Sequence, residues 1–159
     1  MMVSSSTVAN RLLRLAADAG RHLTPMQLLK LVFLCHGWML GLYGRRLIHD
    51  PIEAWKYGPV IPSLYHAVKQ YGGTYITEPV EGRRENLKPD QERLIDEVFG
   101  VYGDWSGPEL SHLTHKAGSP WCRAIEKGGR GRRISDTDIK NYYGRRAHQA
   151  NSCAPDARL

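Results

Sequence analysis

Cysteine is scarce in this chain. The three present, Cys35, Cys122 and Cys153, are an odd number, lie far apart and form no C-x-x-C pair. That excludes a disulfide scaffold and a cysteine-based zinc ribbon, and it suits a reducing compartment. Long apolar runs are missing too. The longest apolar stretch free of Asp, Glu, Lys and Arg runs from Leu31 to Gly44, interrupted by His36, Gly37 and Gly41. It is shorter than the roughly 20 residues a spanning helix needs. The opening MMVSSSTVAN has neither a basic region nor an apolar one, so no secretory signal is expected. A soluble, cytoplasmic protein with no membrane partner is predicted.

Phosphate-cradling loops are also lacking. No G-x-x-x-x-G-K-[ST] occurs, and Gly128-Gly129-Arg130-Gly131 lacks both dinucleotide spacing and a preceding strand pattern. Neither a G-x-S-x-G elbow nor an H-E-x-x-H zinc helix is present. No catalytic, cofactor-binding or metal-ligating residue is therefore assigned, and the chain is not expected to be an enzyme.

What is present is an ordinary globular composition. At 159 residues and 42% hydrophobic, the chain can bury a core as one domain. The expected domain spans 1–146, with a flexible tail over 147–159. Charge is unevenly placed. Residues 1–120 carry 13 basic and 12 acidic side chains, whereas 121–159 carry 9 and 4, so +5 of the net +6 belongs to the C-terminal quarter. Arg130, Arg132, Arg133, Arg145 and Arg146 supply most of it. Such a segment is either a solvated, mobile one or a surface for phosphates or an acidic protein.

The apolar spacing predicts a mainly α fold of about six helices with a small irregular β element. A first helix starts at Ser6 or Thr7 and ends at Gly20, with Val8, Leu12, Leu15, Ala16 and Ala19 on its apolar face. Thr24 caps a second helix, with Pro25 at N1, that is apolar almost all round from Met26 to Tyr43. It is expected at the centre of the fold, with Gly37 and Gly41 admitting another backbone. Ile52–Tyr57 alternates as a strand does, and Gly58-Pro59 is the expected turn. A third helix follows Pro62, and 74–86 is a ribbon or loop. A fourth helix buries Leu94, Ile95, Val98, Phe99 and Tyr102. Ser106 and Glu109 form a capping box for a fifth, ending at Gly118. Ser119 caps a short sixth, and Ser135 or Asp136 caps the last.

Few residues suggest chemistry. His112 and His115 share a helix face and could reach one metal, with Cys122 or Glu109 completing the set. Without a further ligand cluster nearby, a structural or surface role is the simpler reading. Cys35 and His36 diverge by about 100° on a helix, so they do not make a nucleophile–base pair. Trp55, Lys56 and Tyr57 form the densest aromatic cluster, and either plug the core or anchor a protein interface. Trp121 poses the same choice, with core favoured.

These same segments resemble the SocA-like antitoxin family, or Panacea domain, a bacterial group also described as phage-associated proteins. The carriers are LLKLVFLCHGWMLGLYGRRLI (28–48), PIEAWKYGPVIPSLYHAVKQYG (51–72) and LSHLTHKAGSPW (110–121). The E-A-W-K-Y-G-P-V passage paired with T-H-x-x-G-S-P-W some fifty residues later is the specific part. The resemblance implies an antitoxin that neutralises a cognate toxin, encoded by the adjacent gene, through direct protein–protein binding. It further implies an adaptor that presents the toxin to an ATP-dependent protease. Glu53, Trp55, Lys56, Tyr57, Gly58, Pro59, His115, Pro120 and Trp121 fall on the motif and either bind the partner or define the fold. A DNA-binding regulator using the basic C-terminal segment is the alternative. Against it, the second helix is too apolar for a recognition helix, and no later helix is expected to present a row of base-reading Arg, Asn or Gln.

Overall fold

One helix organises the rest. The computed structural model describes residues 1–153, with side chains through Gln149. Its elements are α1 (Ser5–Asp18), α2 (Pro25–Tyr43), β1 (Glu53–Trp55), β2 (Gly58–Val60), α3 (Pro62–Val68), α4 (Pro89–Tyr102), α5 (Gly107–Thr114), α6 (Pro120–Gly128) and α7 (Asp136–Cys153). A 3₁₀ turn over Lys69–Tyr71 extends α3. The fold is mainly α with one small two-stranded antiparallel sheet, as the periodicity predicts.

α2 begins where Thr24 Oγ1 accepts from the Gln27 amide (3.3 Å) and Gln27 Oε1 accepts from the Thr24 amide (2.8 Å). This reciprocal pair satisfies two donors that a helix start otherwise leaves open. By length and composition α2 could cross a membrane. Here every residue from Leu28 to Leu40 is instead buried inside the protein, beneath α1, α4, α5 and α7. Gly41 lets α7 come close: a Cβ there would sit 2.6 Å from the Tyr143 backbone carbon. Tyr143 fills the resulting contact, its ring edge-on to Trp38 at 5.2 Å. The N-terminus of α7 is held by Asp136, whose carboxylate meets His36 Nε2 (3.0 Å) and Arg46 Nε (2.7 Å).

Several boundaries differ from expectation. α1 starts at Ser5 with Ser4 as cap, because Ser4 also bonds the 83–85 segment through its hydroxyl and amide. α5 stops at Thr114 rather than Gly118. The hairpin turn falls on Lys56-Tyr57, and Gly58-Pro59 belong to β2, with Trp55 opposite Gly58 and Ala54 opposite Pro59. Residues 74–86 form a loop without strands. It is tied down where Asn10 exchanges two hydrogen bonds with the Val80 backbone (3.0 and 2.8 Å).

The Gly/Arg stretch is not a free loop. Ala54 N donates to Arg132 O (2.8 Å), Gly131 N to Ala54 O (2.7 Å) and Ile134 N to Ile52 O (2.8 Å). It lies along the outer edge of β1 and covers what would be an unpaired strand edge. Ala147 is still buried against the core. The α7 backbone continues to Cys153, and the remainder of the expected tail lies outside the described residues.

Candidate functional site

The hairpin is the place where the two motif segments meet. Alternate backbone carbonyls of the hairpin each accept from a side chain of a different helix. Trp55 O takes the Trp121 Nε1 proton of α6 (2.6 Å). Tyr57 O takes the Ser111 hydroxyl of α5. Pro59 O takes the Lys30 ammonium of α2 (3.2 Å). Local sequence sets each donor. Ser119 Oγ accepts from the Cys122 amide (3.2 Å), which starts α6 and fixes Trp121 in its first turn. The Ser106/Glu109 capping box starts α5 and so orients Ser111.

Lys30 is the group the sequence did not single out. It is 2% exposed, and burial pushes its ammonium down to about 8. The only sign of it in sequence is a cation within an otherwise apolar helix. Gly58 makes room for it: at φ +120°, a Cβ there would lie 2.9 Å from Lys30 Cε and 3.1 Å from Thr114 Oγ1. Ser111 and Thr114 lie within the 110–121 motif segment, but nothing in the sequence marks them as contacts of the hairpin.

Around this seat runs a chain of rings. Trp55 packs edge-on against Tyr65 (5.0 Å), and Tyr65 against His66 (5.5 Å). On the other side Trp121 meets His115 (5.2 Å), which meets His112 (6.0 Å). Trp55 Nε1 donates to Glu53 Oε1 (2.9 Å). Both tryptophans and His115 are half-buried, and both tryptophans pack against the core with part of each ring open to solvent. Gly58, Pro59 and Pro120 are buried. At the hairpin tip Lys56 and Tyr57 project outward; Tyr57 is 57% exposed, with Lys56 Nζ 5.2 Å from its ring centre.

The other candidates are otherwise engaged. His36 Nδ1 accepts from the Leu47 and Ile48 amides (3.3 and 3.2 Å), which places its ring proton on Nε2, toward Asp136. That bond, with Arg46 beside it, holds the Asp136 carboxyl below its usual value. Cys35 is fully buried, and burial pushes its thiol far up, out of reach of a thiolate role. Among the described residues no group of three His, Cys, Asp or Glu is placed to hold a metal ion.

The fold and this seat together define a class: a mainly helical module built around one buried helix, with a short hairpin held on it through its backbone. Residues 28–122 match the family described as Antitoxin SocA-like, Panacea domain, and the chain belongs to that family. It is 32% identical over 156 aligned residues to the Antitoxin SocA of Caulobacter vibrioides (strain NA1000 / CB15N), covering 89% of this chain and 82% of that protein. No solved structure matches the chain.

Proposed function

We propose that the protein is the antitoxin of a toxin–antitoxin module and neutralises its toxin by binding it directly. The observation that carries this reading is the identity to Antitoxin SocA along 89% of the chain. The protein works as a binding module in the cytoplasm, where its reduced cysteines are at home. Its contact surface is the hairpin face. Half-buried tryptophans with an exposed Tyr and Lys at the tip have the make-up of an interface anchor, since Trp, Tyr and Arg dominate binding hot spots. On this reading the motif divides. Gly58, Pro59 and Pro120 serve the fold, whereas Lys56, Tyr57 and the exposed edges of Trp55, Glu53, His115 and Trp121 meet the toxin. The bound toxin is then presented to an ATP-dependent protease.

The test begins with the neighbouring gene. Its product should arrest growth when expressed alone, be harmless beside this protein, and co-purify with it. A harmless neighbour, or one that never co-purifies, overturns the proposal. Presentation to a protease predicts that toxin lifetime shortens when the antitoxin is present and recovers in a protease-deficient strain. An unchanged lifetime confines the mechanism to inhibition by binding.

A further inference from the structure

Beyond the antitoxin reading, the last helix carries a surface that toxin binding at the hairpin does not use. No row of Arg, Asn or Gln is expected on a later helix from the sequence, yet α7 exposes one. Asn141, Arg145 and Gln149 stand four residues apart on α7, and all three are exposed. The opposite side of the same helix holds Ile139, Tyr143 and Ala147 in the core. Lys140 borders the row. Lys140, Asn141, Arg145 and Gln149 line an open groove of about 550 Å³ along the α2–α7 contact, with Gly41 and Gly144 also in its lining.

The charge of this surface is of one sign. From Ile139 to Cys153 the sequence contains no Asp or Glu. The two acidic residues of α7 lie in its first turn and are spoken for: Asp136 by His36 and Arg46, Asp138 by Arg123 and Lys127. Among the described residues Lys140 and Arg145 have no carboxylate partner. Unpaired cations beside exposed amides, in a groove without acid, match the chemistry of a nucleic-acid duplex. Phosphates take Lys and Arg, while Asn and Gln reach adenine edges and Arg reaches guanine in the major groove. An acidic protein surface would satisfy the cations but gives no reason for exposed amides at i and i+8, on either side of Arg145.

We propose that the exposed face of α7, from Lys140 to Gln149, binds duplex DNA. Lys140 and Arg145 neutralise phosphates or take guanine, and Asn141 and Gln149 face base edges. The experiment uses the full chain and a fluorescent duplex, with anisotropy read between about 50 and 200 mM salt, the range over which phosphate binding weakens steeply. The parent protein should bind, with affinity falling as salt rises. Lys140→Gln/Arg145→Gln should flatten the log–log salt slope by about 2, one for each phosphate left without its cation. Asn141→Ala/Gln149→Ala should keep the slope yet weaken binding to a duplex selected from a random-sequence pool by about tenfold or more. All four side chains are exposed, so circular dichroism should show every variant folded.

The proposal is overturned if the parent does not bind at the lowest salt, or if the charge variant binds like the parent. Polyglutamate competing as well as unlabelled duplex would assign the face to an acidic protein and equally overturn it. Loss of toxin co-purification by the charge variant would do the same, whereas retained toxin binding with abolished DNA binding supports two separate surfaces. An amide variant indistinguishable from the parent on the selected duplex removes the base-reading role.

Discussion

Lys30 is a cation placed where most proteins put leucine, and its effect on stability has a definite sign. In the unfolded chain its pKa is the ordinary 10.5; burial brings it to about 8 in the folded protein. Between those values the unfolded state binds more protons, so stability rises with pH across that window. Below pH 8 both states are charged and the folded one carries the whole burial penalty, up to about 3 kcal/mol for a shift of this size. Lys30→Met should therefore show its largest stability advantage near neutrality, and that advantage should shrink as pH climbs from 8 to 9.5. Urea unfolding of both proteins at each pH reads this. Above pH 10 the buried Tyr143 acts in the opposite sense, because burial raises its phenol and only the unfolded chain ionises. At the neighbouring position, Gly58→Ala demands a positive φ of an L side chain and pushes a methyl against Lys30 and Thr114. We expect a loss of about 2 kcal/mol in the same assay. The sequence marks Gly58 as special but not why. The turn it suggests lies two residues earlier, and the glycine is needed because a lysine from a distant helix passes beneath it.

Among the elements, the helices were the most legible and the β structure the least. α2, α4 and the starts of α5 and α6 follow from apolar period and capping residues, which are local signals. The pairing of Gly131–Ile134 with β1 joins segments nearly eighty residues apart and leaves no periodic mark in an Arg/Gly stretch. The α2–α7 contact was half-visible: Gly37 and Gly41 announce a close approach without naming the partner. A methyl at Gly41 would meet the α7 backbone, which cannot move aside as a flexible side chain can. Gly41→Ala should cost about 1–3 kcal/mol by overpacking, read as a lower midpoint in urea. Asp136→Ala should loosen the same helix at its start. It removes the acceptor of a buried His36 proton and a partner of Arg46, and should lower stability by about 1–2 kcal/mol. The wild-type contribution of Asp136 is present above its ordinary pKa. It disappears as pH falls through its lowered folded value, so the variant should narrow its deficit in strong acid.

For the whole molecule, the question is which surface does what. The candidate site was legible as a set of motif residues but not as an arrangement. Sequence brings Trp55 and Trp121 under suspicion separately; only the fold shows the indole of one bonded to the backbone of the other. Tyr57→Ala separates partner binding from folding. Its side chain is largely in solvent, so the melting temperature should stay within about a degree or two of the parent, as for other surface substitutions. Toxin co-purification should fall sharply. Trp121→Phe removes the donor to Trp55 O and should instead lower stability by about 1 kcal/mol while leaving Tyr57 in place.

Because the body of the protein holds the hairpin through the carbonyls of residues 55, 57 and 59 and through the packed side chains of Trp55 and Pro59, its fastening does not depend on the side chains at its tip. Lys56 and Tyr57 can be exchanged for other residues with every fastening kept. Such a chain can acquire a new target through changes at two adjacent codons, while the machinery that folds it stays as it was.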